Sequence, residues 1–467
     1  MKTNKNTIVL CAAIMICSFV KMHGQIQKIT DEVAAKIETV ATTFLERTKV
    51  PGLSMSVSKK GEVIYAQGFG FADVEKGTKV TPETRLRTAS VAKLITATAL
   101  GKLMDEGKVN LDEPIKTYVP YIDKKYAMLT SRQLAAHTSG LAHRPKGNGF
   151  KKKQYEGIEE TVVLMKSDLL FEPDTDYSYS THAFNFLAAV IEGASGSTYL
   201  EYLKNDLFQP LGMKNTYAEN INELTKQDAK LYLIDDSEVK PERVTNGSYK
   251  IPGASFRSTP TDLVKMTNAY RNGFLSAKVV NEMFKGHQLA NGKKINVGVT
   301  WRRSFDSFGN DVVEHAGNWL GARTVVVYYP KEELTISIML NASCSIFIEE
   351  TAHILAQFFL NEESKPFDSF KVEKSNINVT FSRKKTETSI GSISLEGGKG
   401  FIQTNSDGFL KYNPLLHIKN NNYALVTKYG LMHIVINQHS EIFSGKGYIY
   451  GTMNEKDPKL GSAQIVF

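Results

Sequence analysis

Cysteine is scarce, with three in 467 residues. Cys11 and Cys17 fall in an N-terminal apolar run, which leaves Cys344, and one thiol closes no internal disulfide. Stability must therefore come from a packed core. Cys344 follows the β-rich Leu334-Thr-Ile-Ser-Ile-Met-Leu340 and is expected to be a buried small hydrophobe, not a nucleophile. Membrane-length apolar runs are also lacking. The run from Ile8 to Val20, behind the basic start Met1-Lys-Thr-Asn-Lys, is shorter than the roughly 20 residues that a spanning helix needs. It has the pattern of a secretory signal peptide, with cleavage near Gly24 or Gln25. Residues 1–24 are thus expected to be removed, with no stable membrane span left and the protein exported to a periplasmic or extracellular place. Bulky Ile16 argues against a lipid anchor on Cys17. No cluster has metal-ligand spacing, so no metal or cofactor is implied. Blocks of like charge are missing too. Of the net charge of +8, three units belong to Lys2, Lys5 and Lys21. The other basic residues are mixed with acids, apart from Lys151-Lys152-Lys153, expected as a solvated loop. Nucleic acid is not an expected partner.

What is present is an ordinary globular composition, 42% hydrophobic and 23% charged. The length calls for two or three domains. Val33, Ile37, Val40, Phe44 and Leu45 keep helical spacing between Ile29 and Arg47. Leu53 to Ser58 and Val63 to Ala66 form a hairpin about Lys59-Lys60-Gly61. An apolar helix runs from Ser90 as far as Gly107. Thr130-Ser-Arg-Gln133 reads as a capping box opening a helix to His137. Further helices are expected over Ile158 to Lys166, Ala183 to Gly193, Thr198 to Phe208, Thr261 to Tyr270 and Ile346 to Leu360. Strands are expected at Val297 to Trp301, Val312-Val313, Thr324 to Tyr329 and Leu334 to Asn341. Composition changes near Asn361 to Pro366, and alternating runs such as Ser389 to Leu395 and Tyr423 to Thr427 predict a small all-β domain at residues 368–467. Residues 25–362 then form the main domain.

The chemistry centres on Arg87-Thr-Ala-Ser90-Val-Ala-Lys93. Residues three apart share a helix face, so Lys93 stands one turn above Ser90. A serine hydroxyl is a weak nucleophile until a neighbour takes its proton, and a desolvated lysine is neutral enough to help. Helix-start amides favour negative charge developing there. Downstream lie the turn-rich Phe171 to Thr181, carrying Tyr179, and Glu314-His315-Ala316-Gly317-Asn318. A glycine within that apparent strand permits close approach to the backbone. His137 and His143 are assigned to structure, and Tyr177 and His182 are left out of the site.

In order and spacing, these motifs resemble the penicillin-binding-protein-like serine hydrolases, the superfamily of class C β-lactamases, D,D-peptidases, D-aminopeptidases and related esterases. The resemblance runs from about Lys28 to Phe359. It includes Ser90-x-x-Lys93, a Tyr-x-Asn-type element at Tyr179 to Thr181, and His315-x-Gly317. The connecting Leu103 to Asp112, Pro210 to Met213 and Ser258 to Asp262 also match. The block Phe171 to Ser195 looks most like the mitochondrial β-lactamase-like branch of animals. The resemblance implies an α/β (α+β) fold: an antiparallel sheet flanked by helices, an all-helical lobe from roughly Lys108 to Lys250, and the site between them.

The resemblance also implies roles. Ser90 forms an acyl-enzyme, Lys93 takes its proton, and Tyr179 is the partner base that returns a proton to the leaving group. Amides of Ser90 and Asn318 form the oxyanion hole, while His315 flanks the cleft and helps hold substrate with Gly317. The partner is a small-molecule or peptide acyl substrate, and the activity that of an esterase, D-aminopeptidase or peptidase. An acyltransferase, a β-lactamase or D,D-carboxypeptidase, and last a non-catalytic binding module are the alternatives. The commoner third motif, Lys-Thr-Gly, holds a substrate carboxylate. Here a mostly neutral His315 and hydroxyl-free Ala316 replace it, and Thr181 replaces an amide donor, which argues against efficient β-lactam hydrolysis. Arg323 is a candidate replacement cation.

Overall fold

The computed structural model describes residues 26–147, 153–235, 237–271, 273–360, 369–381, 387–397, 399–405, 412–439, 442–450 and 461–466. The expected leader, with Lys151 and Lys152 of the basic triplet, lies outside them. Lys153 is exposed and ion-paired with Glu160.

A helix opens the fold at Asp31–Thr48, where the Thr30 hydroxyl accepts from the Val33 amide, and it closes at Lys49 with φ 62°. The hairpin follows as Gly52–Lys59 and Glu62–Asp73. These strands enter one eight-stranded sheet whose order is Ile26–Gln27, Glu62–Asp73, Gly52–Lys59, Leu334–Leu340, Ala322–Tyr329, Asp311–Trp319, Arg302–Phe305, with Thr78–Lys79 pairing off the path. Neighbours are antiparallel throughout.

Both faces are covered, which is why Thr324 to Tyr329 is apolar without alternation. Val325 and Val327 pack with the opening helix and the closing helix Ile348–Leu360. Val326 and Tyr328 face the opposite core, shared with Leu94, Ile95 and Leu100 of the helix Ala92–Asp105. That helix is buried nearly all round and packs on Ala183–Ser195. A helix hydrophobic on every side belongs in the interior, which gives its N-terminal end a rigid seat.

The lobe between the sheet's two halves carries the short helix Ser131–Ala135, with its capping box between Thr130 and Gln133 formed. It continues with Ile158–Val162, Ala183–Ser195 and Tyr199–Tyr202, the last running on in wider turns over Leu203–Phe208. From Tyr217 short strands join it: Tyr217–Ala218 pairs with Phe256–Ser258, and Tyr232–Asp235 pairs with Glu238–Pro241. The expected helix to Lys166 stops at Val162. Beyond it the carbonyls of Lys166 and Ser167 accept from Lys125 Nζ and Tyr126 Oη.

Val297 to Trp301 is not a strand, contrary to its β-rich composition. Only Val297 pairs, in an isolated bridge to Arg302, and Thr300 has φ 73°. The backbone there bonds the end of the helix Ala277–Phe284, with the Val299 amide on the Met283 carbonyl at 2.9 Å. The segment is apolar because Trp301 is buried against Tyr270 and Phe284.

Eight strands between Ser369 and Val466 close into an antiparallel barrel. Its Leu416, Ile418, Ala424, Val426 and Leu431 belong to the same core as the opening and closing helices. Polar contacts tie the seam: Phe347 N donates to Tyr429 O at 3.0 Å, and Lys419 Nζ donates to Gln357 Oε1 at 2.8 Å.

Candidate active site

Ser90 lies in a single 3₁₀ turn, Ala89–Val91, that leads into Ala92–Asp105. It therefore sits just before the α-helix, on a tighter turn. Ala89, fully buried, has φ 44°, a left-handed conformation that costs a non-glycine residue about 1–3 kcal/mol. Neighbours over-determine it. Thr88 N donates to Phe256 O at 3.0 Å, and Thr324 Oγ1 donates to Arg87 O at 2.9 Å. The buried Arg87 guanidinium donates through Nε to both Glu219 oxygens, at 2.9 and 2.8 Å, and through Nη1 to Leu320 O at 2.9 Å. Arg257 Nε shares Glu219 Oε1 at 2.6 Å. Two guanidinium groups on one fully buried carboxylate brace the turn from behind.

Against this turn runs the strand Asp311–Trp319. Its outer neighbour Arg302–Phe305 pairs only as far as Glu314, so the edge from His315 to Trp319 carries no further strand among the described residues. A Cβ on Gly317 would stand 2.7 Å from Ser90 N, 2.7 Å from Thr88 O and 2.9 Å from Ala89 Cβ. The close approach that Gly317 permits is thus that of the chain's own turn carrying Ser90. Asn318, next along, is exposed.

Lys93 is wholly buried. Its Nζ lies 3.3 Å from Ser90 Oγ, 3.2 Å from Thr181 Oγ1 and 2.7 Å from Gly253 O. All three partners are neutral. Burial, with the positive charges of Lys250 and Arg302 nearby, holds the amine well below its usual range. The neutral form that a proton acceptor needs is therefore the favoured one.

Tyr179 is half-buried, its ring centre 4.9 Å from Lys93 Nζ. Three imidazoles surround it, with ring centres 4.4 Å away for His137, 5.7 Å for His143 and 6.4 Å for His315. Burial holds all three below the ordinary histidine range, and the positive charge of Arg302 adds to it at His137 and His315. His315 Nδ1 lies 2.9 Å from the Ala316 carbonyl, so it carries the proton and leaves Nε2 bare.

The structure thus brings Ser90, Lys93, Tyr179, His315 and Gly317 together, with Asn318 at the open strand edge. Sequence reasoning missed several neighbours. Thr181 lacks the amide donor of the family motif, yet its hydroxyl is a partner of Lys93. The Gly253 carbonyl carries no side-chain signal. Arg302 reaches within 5.9 Å of the Tyr179 ring from a segment with no motif. His137 and His143, expected to be structural, both lie against Tyr179, and His137-Thr-Ser-Gly140 is the one sign of this in the sequence. Arg323 does not serve as the replacement cation, since it donates to the Ile346 carbonyl. His182 is buried in the lobe, held down to about 4 by desolvation, and Tyr177 packs with Leu289, Ile295 and Val297. Cys344, expected to be buried, is half-buried at the edge of the core; desolvation still pushes its thiol up to about 11, as suits an unreactive packing group.

A beta-lactamase family profile matches residues 37–357. The chain belongs to that family. The family's serine hydrolases work through an acyl-enzyme, and its match spans sheet, lobe and site together. Among curated proteins, human serine beta-lactamase-like protein LACTB, mitochondrial, is 29% identical over 299 residues, 48% of this chain and 54% of its own. The chain spans about half the length of that relative. Two solved structures share the fold. The octameric penicillin-binding protein homologue from Pyrococcus abyssi covers 93% of this chain and 100% of its own at 20% identity, with a TM-score of 0.58. The D-amino acid amidase from Ochrobactrum anthropi SV3, complexed with L-phenylalanine amide, covers 67% and 91% at 23% identity, with a TM-score of 0.56. Among the described residues no helix is long and apolar enough to cross a membrane, and no group of three or more His, Cys, Asp or Glu is arranged for a metal ion.

Proposed function

We propose that the protein is an exported serine hydrolase that cleaves an ester or amide through an acyl-enzyme on Ser90. The observation that carries this reading is the buried Lys93 amine, 3.3 Å from Ser90 Oγ and surrounded by neutral oxygen partners. With its two N–H groups on Gly253 O and Thr181 Oγ1, the lone pair of a neutral amine faces the Ser90 hydroxyl. Lys93 Nζ takes that proton as Oγ attacks the substrate carbonyl. The carbonyl oxygen turns negative between the amides of Ser90 and Asn318, each donor worth about 3 kcal/mol in comparable sites. As the intermediate collapses, the Tyr179 hydroxyl protonates the departing alcohol or amine and is reprotonated from Lys93. Water then enters, loses its proton to the same pair, and releases the acid and free Ser90. His315 and Gly317 form the wall beside the acyl group, and Gly317 keeps the strand seated on the nucleophile turn.

Support for small acyl substrates comes from the family and from the D-amino acid amidase that shares the fold. Support for export comes from the basic and then apolar pattern of residues 1–24. A fluorophosphonate probe should label the wild type on Ser90, and equal labelling of Ser90→Ala would sink the proposal. Full turnover of an activated ester by Tyr179→Phe would remove the phenol from the proton path. A screen of p-nitrophenyl esters, D-amino-acid amides and peptidoglycan stem peptides then identifies the acyl group.

A further inference from the structure

We infer that His137 is the positioning residue of Tyr179, a single residue that grips the phenol's loop on both sides, by its carbonyl before Tyr179 and its ring after it, and backs the phenol with that ring. The inference rests on the role proposed for Tyr179.

His137 follows the helix Ser131–Ala135 and its cap Ala136, and turns into the left-handed region at φ 62°. That turn aims its backbone and its ring at the same loop. Its carbonyl accepts from the Ser178 amide at 3.0 Å, and its Nδ1 accepts from the Ser180 amide at 3.2 Å. The residue between those two amides is Tyr179. The His137 ring then lies 4.4 Å from the phenol ring, tilted by 41°. One residue therefore fixes the backbone before Tyr179, the backbone after it, and one face of the aromatic ring.

The arrangement specifies a tautomer. A backbone N–H donates to Nδ1, so Nδ1 must be bare and the ring's proton sits on Nε2. A charged imidazole would lose this bond. Burial, with the positive charge of Arg302 nearby, keeps the ring neutral. His137 is 2% exposed, so the contact is not one that water replaces.

The grip is itself anchored. Next to His137, the Thr138 hydroxyl donates to Asp174 Oδ1 at 2.6 Å, and Gln133 Nε2 donates to Asp174 Oδ2 at 2.8 Å. The Asp174 amide donates to Thr138 O at 2.8 Å, and Asp174 has φ 64°. A left-handed non-glycine residue thus stands at or beside the join on each segment. Strain of this kind persists where surrounding contacts over-determine it, commonly beside a functional group.

The test measures the rate of Ser90 phosphonylation by a fluorophosphonate, in which Oγ displaces fluoride from phosphorus and which stands in for the acylation step, in the full chain, with His137→Asn and His137→Gln made in Tyr179 and in Tyr179→Phe backgrounds. Asparagine places its Oδ1 near the position of Nδ1 and tolerates positive φ, whereas glutamine reaches the position of Nε2. His137→Gln should slow acylation about 10- to 100-fold, as expected for a misaimed proton donor, and His137→Asn should recover most of that loss. In the Tyr179→Phe background the His137→Gln penalty should shrink to about twofold, because no phenol remains to aim. Thermal melts verify folding, and if His137→Gln does not fold, His137→Asn decides alone: a folded Asn variant more than about tenfold slow overturns the inference. Equal loss in both variants, or an undiminished penalty without the phenol, also overturns it. A full-rate Tyr179→Phe overturns the role of Tyr179 instead, which separates the two failures.

Discussion

Gly317→Ala isolates how firmly the nucleophile turn is held. The backbone there is ordinary strand, paired with Thr324, so alanine brings no conformational penalty of its own. Its only consequence is a methyl group 2.7 Å from Ser90 N and Thr88 O, and 2.9 Å from Ala89 Cβ. Comfortable contact begins near about 3.5 Å, so strand and turn must part by roughly 0.7 Å. The turn has little freedom to yield. Arg87 is fixed by Glu219 and the Leu320 carbonyl, its own carbonyl is held by Thr324, and Ala89 is already left-handed. Overpacking at such a site costs about 1–3 kcal/mol of stability. A 1 Å misplacement costs about 10²-fold in rate, so the smaller shift should slow Ser90 acylation roughly 30- to 100-fold. Stopped-time mass spectrometry of the fluorophosphonate adduct measures the rate, and a thermal melt the stability. Acylation within about threefold of wild type, in a folded Gly317→Ala protein, would refute the reasoning, because it means the strand and turn slide apart freely.

Acylation should be active near neutral pH, with its rising limb well below the ordinary lysine range, because burial and two cations depress Lys93. Arg302→Gln removes one of those cations and should move the limb to higher pH; an unmoved limb in the pH–rate profile counts against it. The same depression has a stability sign. Unfolded Lys93 binds its proton up to about 10.5 while the folded amine does not, so stability rises with pH across that window. The melting difference between wild type and Lys93→Met should therefore drift in favour of wild type from pH 7 towards 10, and a constant difference would contradict the buried neutral amine. His353→Ala should cost about 3–5 kcal/mol in urea unfolding, since it strands the buried Glu314 carboxylate 2.9 Å from the missing ring. Nitrocefin should turn over slowly, because His315-Ala316 replaces the cation and hydroxyl that hold a β-lactam carboxylate; turnover like that of a dedicated β-lactamase would overturn this.

Much of the fold was legible because local signals agreed with tertiary demand. Thr30, Thr130 and the Lys59-Lys60-Gly61 turn mark their elements by cap and turn chemistry that needs only neighbours in sequence. Val297 to Trp301 misled because apolar composition has two causes, and here the cause is the burial of Trp301 under a helix end. The site divides in the same way. Ser90 and Lys93 are one turn apart and announce each other, whereas Thr181, Gly253 and Arg302 meet Lys93 or Tyr179 only through long-range folding. His137 has the neutral, buried character of a structural histidine, and its residue type alone gives no sign of the loop it meets.

The seam between the barrel and the hydrolase fold bears on how this chain can evolve. Leu416, Ile418, Val426 and Leu431 complete a core begun by Ile37, Phe44, Ile354 and Leu355, so neither part closes its own apolar surface. Recombination that exchanged the barrel for an unrelated cassette would leave the back of the opening and closing helices exposed. Substitutions on one side of the seam must be answered on the other, and the two parts are bound to be inherited, and to drift, as a matched pair.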